Sequence, residues 1–196
     1  MTASRAPRPT RRSPRHDQVP AAATRRRRGP APPDDAIADL ETAWDAIPED
    51  TPPEARRNLL LAALLLAWVM VERHARRGVA RALPEPWAGT VRLAPGLSAA
   101  PALEPVPETR AALGNRLRAW HAAAVQHFAA TVGSTEYIWT THPEHSKSGT
   151  RELHRELEGT RHSWTNPPVS GTNGFRGHPQ EPAECVCTAF PLPPVG

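Results

Sequence analysis

The chain has 196 residues, of which 24 are proline. That share is more than twice the usual ~5% and excludes regular structure throughout, because each proline fixes φ and removes a backbone donor. Apolar residues are only 39% and aromatics 5%, so a core must come from part of the chain; the formal net charge of +4 sums a strongly basic start and a mildly acidic remainder.

Residues 1–33 are Pro, Ala and Arg with almost no large apolar side chain, which predicts a disordered arm. Its cations are Arg5, Arg8, Arg11, Arg12, Arg15 and the run Arg25, Arg26, Arg27 and Arg28, opposed by the single acid Asp17. They repel one another and keep the arm extended. Such an arm can neutralise nucleic-acid phosphates; the plainer alternative is a basic terminus with no partner. No apolar stretch in 1–58 has the form of a secretory signal.

Residues 34–83 read as a helical segment. Ile37, Leu40, Trp44 and Ile47 recur at helical spacing, predicting a helix over 35–47 that Asp34 or Asp35 can cap and Pro48 ends. Thr51-Pro52-Pro53-Glu54 carries the pattern of a capped helix start, with Thr51 as the cap. The helix that follows, ending between 78 and 83, contains an apolar run over 59–71. Thirteen residues fall short of the roughly 20 that span a bilayer, so the expectation is a buried helix and no membrane partner. Being apolar on nearly every side, it requires cover from neighbours, from self-association or from a large partner.

Residues 84–106 lack periodicity and read as a Pro/Ala-rich linker. A third helix is predicted over 107–131, with Leu113, Leu117, Trp120, Ala124 and Phe128 as its stripe and Gly133 as its stop. Beyond it the character changes. A short strand is predicted at 137–141, a short helix at 150–158 and a final strand at 185–190, with a turn-rich stretch over 160–183. The fold class is therefore α+β: a disordered basic arm, helical segments, and a small C-terminal α+β module within 107–196.

The module holds Cys185 and Cys187, the only cysteines, and seven of the nine histidines. Thiols two residues apart are no disulfide framework and suit a cytoplasmic-type compartment. In an extended segment they share a face. With His154 and His178 they would complete a tetrahedral structural zinc set, and His145 is a further candidate. The alternative is two small buried thiols and surface imidazoles, with no cofactor.

In order, the module reads Tyr137-x-Trp139, Glu144-x-x-Lys147, His154-x-x-Leu157-x-Gly159, Pro167-Pro168, Gly177-x-Pro179 and Cys185-x-Cys187. This string resembles the C-terminal domain of the phage Mu F-like head morphogenesis family, minor capsid proteins of tailed phages. Here an acid and a base stand one residue further apart than in that family, and its Cys-Arg-Cys is Cys185-Val186-Cys187. The resemblance implies a non-enzymatic virion protein, or a prophage copy of one. It implies partners among portal and capsid proteins, action in procapsid assembly, and a location inside the virion after assembly in the host cytoplasm. Two other readings come from the residues themselves. The arm alone would fit a DNA-binding accessory protein. His142-Pro143-Glu144 with Pro182, Cys185 and Cys187 loosely echoes a zinc deaminase or hydrolase, whose thiols however stand three apart.

Overall fold

The computed structural model describes residues 33–97, 102–141, 151–182 and 184–194. The nine arginines of the arm, Arg5 to Arg28, lie outside the described residues, as do His142, Glu144, His145 and Lys147. Among the described residues the chain forms α1 (Asp34–Asp45), α2 (Pro53–Ala82), α3 (Trp87–Leu93), α4 (Arg110–Ala130), β1 (Glu136–Thr140), α5 (Arg151–Leu157), β2 (Arg161–Ser163) and β3 (Thr188–Pro191). The fold is α+β, with one antiparallel sheet in the order β2-β1-β3.

Four elements differ from the sequence expectation. Neither Asp34 nor Asp35 caps α1: Pro33 holds the cap position with no side-chain hydrogen bond, and both acids are already in the first helical turn. Thr51 does not cap α2: Pro52 occupies the cap position in an extended conformation and Pro53 is the first helical residue, so two prolines move the start past the hydroxyl. Within the expected linker, 87–93 is helical, and its Val91 is fully buried. Seven residues are too few to show a helical period. Strand β2 forms in the turn-rich stretch, where no alternation announces three residues; its pairing with β1 supplies the missing hydrogen bonds. The cap of α4 is Thr109, whose hydroxyl accepts from the Ala112 amide at 3.1 Å.

Helices α2 and α4 are the spine of the molecule. One core joins α1 (Ile37, Leu40) to the middle of α2 (Leu64, Trp68, Val71) and the first half of α4 (Leu113, Leu117, Trp120). A second joins the later halves of α2 (Ala75, Val79) and α4 (Ala124, Phe128) to Val91, Tyr137, Trp139, Trp164, Cys185 and Cys187. The small module is thus seated directly on the spine.

Helix α2 is long and apolar enough to cross a membrane by length and composition. In this fold one side of it is buried in both cores, while Leu59, Leu65, Leu66, Val69 and Met70 face outward.

Candidate metal centre

Strand β1 organises the site. Its period-2 alternation sends Tyr137 and Trp139 to one face and Ile138 to the other, and all three are buried. Ile138 meets Ala82 and Phe190, whereas Tyr137 and Trp139 enter the larger core. Strand β3 pairs with β1 so that Thr140 opposes Thr188 and Trp139 opposes Ala189. The segment leading into β3 therefore carries Cys187 and Cys185 along the Trp139 face.

Helix α5 brings the histidine. His154 sits at its middle, with its ring centroid 5.3 Å from that of Trp139. The helix is followed by Gly159 at φ +72°, a left-handed conformation that glycine adopts without a Cβ penalty. That turn returns the chain along β1: the Gly159 amide donates to Trp139 O and the Trp139 amide to Thr160 O, both at 2.9 Å. Leu157 packs on the same core. The His-x-x-Leu-x-Gly pattern thus has a local reason, since it is a helix, its core contact and its exit.

Three donor atoms converge. His154 Nδ1 lies 3.3 Å from Cys187 Sγ and 3.7 Å from Cys185 Sγ. All three side chains are buried, at 7, 4 and 4% exposure for His154, Cys185 and Cys187. The other ring nitrogen, Nε2, is 2.8 Å from Ser170 O. A carbonyl only accepts, so Nε2 carries the proton and Nδ1 can present its lone pair to the sulfurs. The Ser170 carbonyl is held by a closed loop. The Ser170 amide donates to Phe175 O at 2.9 Å, and its hydroxyl to Gly177 O at 2.9 Å. The Gly177 amide in turn donates to Pro168 O at 3.2 Å. Pro167, Pro168 and Gly177 therefore frame the loop that orients His154.

The sulfurs have their own support. The Gln180 amide donates to Cys185 Sγ at 3.3 Å, in the turn that follows Pro179. The Glu184 amide donates to Asn115 Oδ1 at 2.8 Å, tying the cysteine segment to α4. Among the described residues the Trp139 indole N–H makes no hydrogen bond of ordinary geometry, yet it favours a thiolate at Cys187. Within the pair the hydrogen bond from Cys187 depresses the Cys185 pKa, helped by His154 and the Gln180 amide against burial. The same hydrogen bond, with burial, raises that of Cys187. Burial would lower the His154 pKa, but the hydrogen bond and charge of Cys185 outweigh it and raise it. Two sulfurs and one imidazole on a common point can share a proton, or hold a borderline-soft divalent ion.

His178 does not join them, which corrects the expected four-residue set. Its Nδ1 is 3.1 Å from the Tyr137 hydroxyl, and its ring packs against both Tyr137 and Trp164, with centroids 5.5 and 5.4 Å away. The physical reason is the pleat. Both histidines face the same side of β1, but His154 is opposite Trp139 and His178 opposite Tyr137, two residues or about 7 Å along the strand. Burial lowers the His178 pKa. The supporting groups Ser170 and Gln180 act through backbone atoms, which no residue-type pattern announces. His121 is also buried, and its spacing of four from Leu117 on the α4 stripe and from the apolar Val125 was the signal for it.

No protein-family model, curated protein or solved structure matches the chain.

Proposed function

We propose that the chain is a structural, non-enzymatic head-morphogenesis protein of a tailed phage or prophage, similar to the Mu F-like minor capsid family through its C-terminal module. It would act in procapsid assembly at the portal, inside the forming head, with the Arg-rich arm available to packaged DNA. One observation carries the reading. Residues of the family-like string that are spread from 137 to 187 converge on one buried unit, and each described member has a structural task there. Tyr137 and Trp139 fill the core, His154 and the thiols meet, Gly159 turns the chain, and Pro167, Pro168 and Gly177 frame a loop. A string that makes sense only as a folded unit supports the resemblance more than any one of its members does.

The burial of the thiols favours a structural role over an enzymatic one. In a deaminase-like site the thiols open a helix and face a substrate pocket; here Cys185 and Cys187 lie on a non-helical segment that leaves a turn and runs into β3. The outward apolar face of α2 supplies a surface for a portal or capsid partner or for self-association.

The test is co-expression with the portal, scaffold and major capsid proteins of the phage or prophage that carries it, followed by purification of procapsids. The reading expects the chain inside the particles in few copies per head, and heads with a packaging or ejection defect when it is omitted. Particles that exclude it and perform identically without it would sink the proposal.

A further inference from the structure

We propose that His154, Cys185 and Cys187 form a structural zinc site that staples the C-terminal segment to α5 and β1. The inference is independent of the reading of the chain as a head protein.

Geometry carries it. In a tetrahedral zinc centre with bonds of about 2.3 Å to sulfur and about 2.05 Å to nitrogen, sulfur and nitrogen stand about 3.6 Å apart. The two observed separations, 3.3 and 3.7 Å, bracket that value. All three donor atoms lie within 4.8 Å of one another and all three residues are buried. An ion between them satisfies all three donors at once.

The surroundings are those a ligating set requires. The distal imidazole nitrogen is fixed on a backbone carbonyl, Ser170 O, the arrangement that sets tautomer and ring orientation in metal-bound histidines. A backbone amide, that of Gln180, already points at Cys185 Sγ. The donors come from α5 and from a segment 31 to 33 residues later, so one ion would close a long loop. The module has a three-stranded sheet with strands of five, three and four residues. A unit that small gains from a metal staple. Binding exchanges the two thiol protons, released to solvent, for the divalent ion.

The experiment uses the full chain, purified under reducing conditions after growth with zinc. One zinc per chain is expected by elemental analysis. Replacement by Co²⁺ should give thiolate-to-cobalt charge-transfer absorption and the intense visible bands of a tetrahedral site. H154Q and C187S should drop the zinc content to near zero, and H178Q should keep it. H154C separates ligation from folding, because a third thiolate keeps the ion and strengthens the charge-transfer band. Loss of zinc in folded H154C would overturn the assignment of His154 as a ligand. The site is excluded if the folded full chain stays zinc-free after incubation with Zn²⁺, or if H154Q and C187S retain it in full.

Discussion

His121 is 1% exposed, and its Nδ1 lies 2.8 Å from Gln180 Oε1. Burial, aided by the nearby His74, lowers its pKa from the ordinary 6.5 to about 4, with the Gln180 hydrogen bond opposing. The folded state therefore resists a proton that the unfolded state accepts readily. The stability involved is present above the unfolded value and is lost as the pH falls from 6.5 toward about 4. Its size at the lower end is about 3 kcal/mol. Denaturant titrations at pH 7 and pH 4 should show the wild type losing about that much more than His121→Gln; equal losses would show that the ring takes up its proton without penalty. Gly159 gives a second residue-level test. A Cβ there meets nothing within 4 Å, so Gly159→Ala should lose only the left-handed backbone penalty, about 1 kcal/mol, by the same titration. A neutral result would mean that the turn after α5 relaxes. Residue types and period-2 spacing made the two thiols and His154 legible as a set. They could not resolve a displacement of two residues along one strand face, which separates His178 from the thiols.

At the scale of elements, α2 carries two faces whose roles the sequence alone could not divide. An apolar run over 59–71 has no polar side to give a period, so either Leu61 or Leu65 was as good a guess for a buried position as Leu64. In the fold Leu64 is 1% exposed, whereas Leu66 and Val69 are 67 and 49% exposed. Leu61 is half-buried. Leu64→Ala should therefore destabilise the chain by about 2–5 kcal/mol. The double variant Leu66→Glu/Val69→Glu should leave the melting temperature nearly unchanged while abolishing self-association in sedimentation, or capture by co-expressed portal protein. An outer-face variant that unfolds the chain would show that this face is internal, and one that associates normally would remove it as the docking surface. The long helices α1, α2 and α4 were legible from apolar spacing in α1 and α4, from the length of the apolar run in α2, and from the prolines and glycine that bound them, although the expected side-chain caps of α1 and α2 are not made. Helix α3 and strand β2 were not, since each is held by neighbours more than by its own pattern: Val91 by the α2–α4 core, and β2 by the ladder to β1.

At the scale of the whole molecule, the α+β class and the change of character after Gly133 were legible, whereas the independence of the parts was not. A helical segment over 34–83 and a module over 107–196 suggest that damage to the cysteines should melt the module and leave the first helices folded. The packing argues otherwise. Cys185 and Cys187 share one core with Ala75 and Val79 of α2 and with Ala124 and Phe128 of α4. The same two helices run on into the second core with α1. A helix cannot lose half its packing and keep the rest at full strength, because most helical stability comes from the buried face. Unfolding should therefore be one cooperative transition, as is usual for chains of this size. Cys185→Ser and Leu64→Ala, at opposite ends of the spine, should each lower that single transition. Far-ultraviolet circular dichroism, reporting mainly the helices, and Trp fluorescence should then coincide in each variant. Two separated transitions in Cys185→Ser, with helical signal surviving the first, would show instead that the module unfolds alone and that the shared core couples the two halves only weakly.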